Sequence, residues 1–317
     1  MPLKLKLTGG FTMQNRRDFL RLLTTGAAGT VALSTPLSLF AAEDMVQLTI
    51  LHTNDFHSHV DPFGKDVPRN AGEGGMAKRA ALIKKIRSES KHVLLFDAGD
   101  IYQGTPYFNY FKAQLDFELM TMMGYDAATI GNHEFDNGLE GIRSQLKYAG
   151  FPFITSNYDF SDTILAGKIL PYKIFKTGGI KVGVYGLGIE LQGLVDPNNF
   201  GKTRYNDPLL TALKMEKMLR EEHNAELVIC LSHLGYSYKD NTVSDKVIAS
   251  QTFNTDLIIG GHTHTFLDKP DLIMNKSGKE VVVNQVGFGG LILGRVDFYM
   301  SKQKKSRMHN STSIPVK

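Results

Sequence analysis

One cysteine and no tryptophan occur in the 317 residues. A single thiol cannot close an intrachain disulfide, so the fold must be held by its core. Cys230 lies in the apolar run 227–231, which reads as a buried strand rather than a nucleophile. Low-complexity linkers and internal repeats are also missing, which argues against a solenoid or a string of modules. Nor does the body of the chain have a basic surplus. The total is 36 Lys+Arg against 32 Asp+Glu, but residues 1–41 hold five bases and one acid, and 301–317 hold five bases and no acid. Residues 42–300 therefore carry 26 bases against 31 acids, which excludes a basic nucleic-acid groove there. With 42% apolar and 21% charged residues, the composition is that of a globular enzyme.

The basic N-terminal segment has its own pattern. Asn15-Arg16-Arg17-Asp18-Phe19-Leu20-Arg21 precedes an uncharged, moderately apolar run at 22–42. Basic start, apolar run and small residues make a secretory signal. The paired arginines before Phe19-Leu20 resemble the twin-arginine export signal. Residues 1–42 are accordingly expected to be an export signal directing the protein to the periplasm or beyond. The run is too rich in Thr, Gly and Ser for a good transmembrane anchor, so no stable membrane span is expected after cleavage.

Apolar, β-rich runs recur at 47–52, 92–96, 127–130, 151–155, 181–187, 227–231, 256–259, 281–284 and 291–299. Helical patterns fall at 76–88, 107–123 and 209–223, the first with Lys78, Arg79, Lys84 and Lys85 on its polar face. Strand–helix alternation points to a layered α/β domain over 43–300, followed by a frayed basic polar tail at 301–317.

The residues just beyond these runs carry the chemistry. Five runs lead into Asn54-Asp55-Phe56-His57, Asp97-Ala98-Gly99-Asp100, Gly131-Asn132-His133-Glu134-Phe135-Asp136, Ser232-His233-Leu234-Gly235 and Gly260-Gly261-His262-Thr263-His264. Each alone is weak: Asp100 could cap a helix, Asn132 could form a turn, and His233 could be a satisfied core histidine. Together they put metal-ligand residue types at five strand ends, where α/β sheets bind ligands. Carboxylate, imidazole and amide donors suit Zn, Mn, Fe or Co rather than a thiolate site or a calcium cage. Two such ions about 3.5–4 Å apart need a bridging carboxylate, make hydroxide available at neutral pH and stabilise a phosphoryl group under in-line attack.

With these stretches, and with Gly74-Gly75 ahead of a basic helix, the chain resembles the calcineurin-like metallophosphoesterases. Within them it is similar to the catalytic domain of secreted 5′-nucleotidases and UDP-sugar hydrolases, over about residues 47–300. The resemblance implies a four-layer α/β/β/α sandwich forming a single catalytic domain. It implies that Asp55, His57 and His264 hold one divalent ion, that Asn132, His233 and His262 hold a second, and that Asp100 bridges them. It further implies that His133 is a catalytic histidine binding no metal, oriented by Asp136. The substrate it implies is a phosphoester, with a nucleotide favoured.

Nucleotidases of this kind continue into a second domain that clamps the base, and only 17 residues follow Met300. A separate nucleotide-binding subunit is therefore the expected partner. Other hydrolases fit the same scaffold, namely a cyclic-nucleotide phosphodiesterase or a thiosulfohydrolase. A metal-binding subunit without turnover fits less well, because it would not need His133. His52 reads as structural, His59 as a candidate for the site mouth, Asn157 as either a turn or a residue near the metals, 61–70 as a mobile loop, and the aromatic segment 102–111 as helix-facing core.

Overall fold

The computed structural model describes residues 45–240, 242–301 and 307–317. The export signal expected at 1–42 lies outside them. In order, the elements are β1 (Met45–Thr53), α1 (Met76–Glu89), β2 (Val93–Asp97), α2 (Pro106–Phe111), α3 (Gln114–Met123), β3 (Ala127–Ala128), α4 (Gly138–Gln145), β4 (Tyr158–Asp159), β5 (Tyr172–Thr177), β6 (Ile180–Gly188), α5 (Pro197–Phe200), β7 (Arg204–Tyr205), α6 (Pro208–Glu221), β8 (Leu227–His233), α7 (Asp245–Gln251), β9 (Leu257–Gly260), β10 (Asp271–Met274), β11 (Glu280–Asn284), β12 (Ile292–Ser301) and β13 (Arg307–Pro315).

The uninterrupted apolar runs are strands buried on both faces, as in parallel sheets covered by helices. One sheet has the order β13-β12-β1-β2-β3 and a second β10-β11-β9-β8-β6-β5. In the first, β1, β2 and β3 run parallel while β12 and β13 pair antiparallel. In the second, β6, β8, β9 and β11 are parallel, with β5 and β10 as antiparallel edges. Side chains alternate along each strand, so β8 sends Leu227, Ile229 and Leu231 to one face and Val228 and Cys230 to the other. Leu227, Ile229 and Leu231 meet Leu48, Ile50 and Phe96 of the first sheet, which makes the inter-sheet core. Val228 and Cys230 pack with Ala212, Leu219 and Ile248 of α6 and α7. On the far side, Leu51, Leu95 and Ala128 pack with Ile83, Phe117 and Ile142 of α1, α3 and α4. Three cores between four layers are the α/β/β/α sandwich that the resemblance implies, in one domain.

Several local expectations change. The helix expected over 107–123 is two helices, because Lys112 turns to φ +58° and its N–H closes α2 on the Phe108 carbonyl. The run at 151–155 makes only isolated bridges, Phe153 to Ala128 and Ile154 to Leu170. Arg79, expected on the solvated face of α1, is fully buried, with its guanidinium 4.9 Å from the centre of the Phe56 ring. The tail expected to fray instead contributes β13, paired along β12 from Ile292–Pro315 to Met300–Arg307. A polar strand is at home on a sheet edge, where one side is solvated, and Val316 is buried beyond its end. No helix among the described residues is long and apolar enough to cross a membrane.

The inter-sheet layer should dominate stability. Phe96→Ala, at a fully buried ring in that layer, is expected to cost about 3–5 kcal/mol. Met122→Ala, at a side chain 82% exposed, should stay within about 0.5 kcal/mol. Urea unfolding of the two variants checks both, and equal losses would contradict the layered core.

Candidate metal centre

Parallel strands gather their carboxyl ends on one side of a sheet, and the polar residues follow those ends. Asp55 and His57 follow β1, Asp100 follows β2, Asn132 and His133 follow β3, His233 ends β8, and His262 and His264 follow β9. Their side chains meet in two groups. Asp55, His57 and His264 form one, and Asp100, His233 and His262 form the other, with donor atoms in each within 4.8 Å of one another. Asn132 joins the second group, its Oδ1 lying 2.9 Å from His262 Nδ1. The groups adjoin, because His233 Nε2 lies 3.0 Å from Asp100 Oδ2 and 3.9 Å from Asp55 Oδ1.

The hydrogen bonds on the outer ring nitrogens fix what the inner ones offer. His233 Nδ1 lies 2.7 Å from the Ala98 carbonyl and His57 Nδ1 lies 3.0 Å from the Tyr102 carbonyl. A carbonyl only accepts, so both Nδ1 atoms carry protons and donate. In the neutral ring Nε2 then presents a lone pair inward, as metal-binding histidines do. His57 Nε2 points at His264 Nε2 across 3.0 Å. His233 Nε2 is buried, faces a carboxylate at 3.0 Å, and makes no hydrogen bond to it.

Either a proton or a cation can occupy that face. Burial opposes charge on His233, but the Asp100 and Asp55 carboxylates outweigh it and push its pKa up to about 10. For Asp100 burial likewise opposes charge, yet His233 draws its carboxyl well below the usual range. The same field favours a divalent ion. Burial lowers His262 to about 4, so it offers a lone pair rather than a positive charge. Oxygen and nitrogen donors without thiolate suit a borderline divalent metal. The residues present therefore fit a two-metal site.

The backbone around these donors is specialised. Nine described non-glycine residues have positive φ, and five of them are Asp55, His57, Asp100, His262 and His264. Such conformations cost about 1–3 kcal/mol each and persist where surrounding structure over-determines them. Glycines enclose the His233 ring: a Cβ at Gly99, Gly131 or Gly261 would come within 2.9 Å of it. Asp55 is held by the His262 backbone N–H, 3.0 Å from both carboxylate oxygens, and by Asn54 Nδ2 at 2.7 Å.

Glu134, to which the motif pattern gives no role, is the main brace. Its buried carboxylate accepts backbone N–H bonds from Asp100 (3.0 Å), Ile101 (2.7 Å), Tyr102 (3.3 Å) and Gly131 (2.6 Å). It thereby ties the loop after β2 to the loop after β3. Asn54 is the second such residue: besides Asp55 it bonds Gly287 O and Val286 N. The available signal was position, since both are polar and stand inside motifs whose other polar members had assigned roles.

His133 stands beside both groups and belongs to neither. Its Nδ1 donates to Asp136 Oδ2 at 2.9 Å, and its ring meets the His57 ring edge-on at 5.3 Å. The Asp136 hydrogen bond outweighs burial and raises the His133 pKa to about 9. Other expectations resolve locally. Asn157 spends its amide on Gly188, 2.8 Å to both N and O, so it pins the end of β6. His52 is buried in the sheet against Asn284, and burial lowers its pKa to about 3. His59 reaches the site rim, where it stacks on Phe63 at 4.6 Å. The 102–111 segment is only partly core: Tyr102 and Phe108 are buried, but Tyr110 is 84% and Phe111 48% exposed.

Known proteins share this fold. The calcineurin-like phosphoesterase family model matches residues 48–266. A snake venom 5′-nucleotidase of Crotalus adamanteus is 36% identical over 287 residues, spanning 81% of this chain and 46% of its own. The 5′-nucleotidase of Rattus norvegicus is 34% identical over 291 residues, spanning 84% and 49%. The crystal structure of a 5′-nucleotidase precursor from Thermus thermophilus superposes with a TM-score of 0.76 at 30% identity, over 85% of this chain and 55% of that one. The chain thus spans about half the length of these relatives. With the four-layer fold, the paired donor groups and these matches together, the chain belongs to the calcineurin-like phosphoesterase family.

Proposed function

We propose that the protein is an exported, two-metal phosphomonoesterase of the 5′-nucleotidase kind, with a nucleotide as its substrate. The observation that carries the reading is the pair of adjoining donor groups, with His233 Nε2 of one 3.0 Å from Asp100 and 3.9 Å from Asp55 of the other. In this reading Asp55, His57 and His264 hold one ion, Asn132, His233 and His262 the other, and Asp100 bridges them. Zn, Mn, Fe and Co all suit this donor set. When bound, the ions neutralise charge on the phosphoryl group and supply an acidified water for in-line attack.

Among these donors only Asp55 and Asp100 are carboxylates. Two divalent ions with the attacking hydroxide would therefore leave the centre at about +1, which attracts a phosphate ester. The monoester is favoured by the likeness to 5′-nucleotidases. His133 contributes from the protein side. Asp136 accepts the Nδ1 proton's hydrogen bond and stabilises the imidazolium, so Nε2 also carries a proton, which it would hydrogen-bond to the substrate and hand to the leaving oxygen. Export is supported by the Arg16-Arg17 pattern and by the venom origin of one relative. The separate nucleotide-binding subunit would add base recognition to a centre whose chemistry these residues already supply.

Product analysis with the manganese- or zinc-loaded chain tests the reading, following phosphate from AMP and an aryl phosphate and the ring-opened monoester from a cyclic nucleotide. Monoester hydrolysis should prevail, and turnover of the cyclic ester alone would overturn it. Asp100→Ala should lose both ions by metal analysis, and a variant keeping two tightly bound ions would remove the bridge. His133→Asn should keep its metals and lose roughly two orders of magnitude or more in kcat; unchanged kcat would show that His133 is not catalytic. Glu134→Ala leaves four backbone N–H groups without their acceptor. It should weaken metal retention on dialysis although Glu134 is no ligand, and wild-type retention would show that the brace is dispensable.

A further inference from the structure

We infer that Gln285, which follows β11, is a positioning residue that fixes His262 and His264 relative to one another and so ties the two donor groups together. This rests on the two-metal reading and adds to it a residue outside the donor set.

The loop after β9 carries one histidine for each group, His262 for one and His264 for the other. Gln285 is fully buried, and its amide reaches the residues beside and between them. Its Nε2 donates to the Gly261 carbonyl. Its Oε1 accepts from the Thr265 N–H and, at 3.0 Å, from the Thr263 hydroxyl. Residues 261, 263 and 265 are thus bonded to one side chain, and the two histidines are the residues between them. Thr263 extends the contact: its hydroxyl lies 3.0 Å from that of Thr265 and accepts from the Tyr236 N–H at 3.0 Å. The main chain closes the same turn, with the Leu267 N–H on the Gln285 carbonyl at 3.2 Å and the Gly287 N–H on the Thr265 carbonyl at 3.0 Å.

The histidines need such a hold. Their φ values are +73° and +50°, a conformation that persists where surrounding structure over-determines it. The His264 side chain is 41% exposed, so burial does not fix it. The loop also selects the chemistry of its brace. The Gly261 carbonyl needs a donor and the Thr265 N–H needs an acceptor, and one amide supplies both without charge. A carboxylate at this position would set an oxygen against the Gly261 carbonyl and bury a further negative charge. The amide is therefore matched to this loop as the Glu134 carboxylate is matched to its four N–H groups. Because residue 285 holds one ligand of each group, displacing it disturbs both metal positions at once. Residues that orient metal ligands without binding the metal set affinity by roughly 10–100-fold.

The test titrates the full, metal-stripped chain with cobalt(II), following the number of ions bound and the visible spectrum, which reports ligand geometry. Gln285→Glu keeps the size and the acceptor, and Gln285→Met keeps the size and removes both partners. Each should weaken both ions by roughly 10–100-fold and alter the cobalt spectrum. Where Gln285→Met fails to fold, Gln285→Glu carries the test. Asn275→Ala is the control for stability alone. Asn275 is also a buried amide with both kinds of bond, to the Phe253 carbonyl and to the Ser277 and Lys279 N–H groups, in the turn that precedes β11. It should lower the urea midpoint and keep both cobalt affinities. If the wild type binds two ions and the folded Gln285 variants match it in affinity and spectrum, the inference falls while the two-metal reading stands. Equal weakening in Asn275→Ala would also overturn it, and weakening of one ion alone would remove the link between the groups. If the wild type does not bind two ions, the two-metal reading falls and the inference with it.

Discussion

Imidazole and carboxylate donors crowded to within about 3 Å of one another are the constraint around which the architecture of this protein is organised. His233 Nε2 points at Asp100 Oδ2, and His57 Nε2 points at His264 Nε2, each across 3.0 Å. Ala98 and Tyr102 carbonyls take the outer protons and so prevent either ring from turning its N–H inward at no cost. An unpaired buried polar atom is expensive, by about 1–3 kcal/mol, more where charge is involved. The arrangement is therefore suited to accept a cation, and a bound ion would add to the stability of the folded centre.

Holding that arrangement requires a rigid backbone, and the means are local. Loops after β1, β2 and β9 place Asp55, His57, Asp100, His262 and His264 in left-handed conformations. The strain is offset by hydrogen bonds that run from backbone to side chain: His262 N to Asp55, His133 N to Asp100, and four N–H groups to Glu134. The lack of side chains at Gly99, Gly131 and Gly261 lets the His233 ring sit against three pieces of main chain. Acidic side chains thus work in two ways here, Asp55 and Asp100 facing the metal positions and Glu134 bracing the loops that carry Asp100 and His133.

Much of this was legible in the sequence, for physical reasons. Strands buried on both faces read as unbroken apolar runs, so β1, β2, β6, β8, β9, β11 and β12 stand out, and donor residues at or just beyond the ends of β1, β2, β3, β8 and β9 mark the site. Edge strands carry no such signal. β5 is half-buried, β10 alternates, and β13 is a polar string whose pairing with β12 fixes it. Arg79 misleads because an arginine on an amphipathic helix reads as solvated, whereas here it packs on Phe56 beneath the Asp55 loop. The bracing role of Glu134 is hidden for a related reason: its place in the motif is visible, but a carboxylate that serves only backbone N–H groups has no partner side chain for a motif to reveal. The exposed rings at Tyr110 and Phe111 look like core from their residue types, and only the structure shows their faces open.

The charges also divide the site. The donor groups contain two carboxylates among imidazoles and an amide, so a pair of divalent ions leaves them positive toward a phosphate. The crevice lined by Asp61 and Asp66 holds none of these donors and no Lys or Arg, so the two surfaces present opposite charge to an anion.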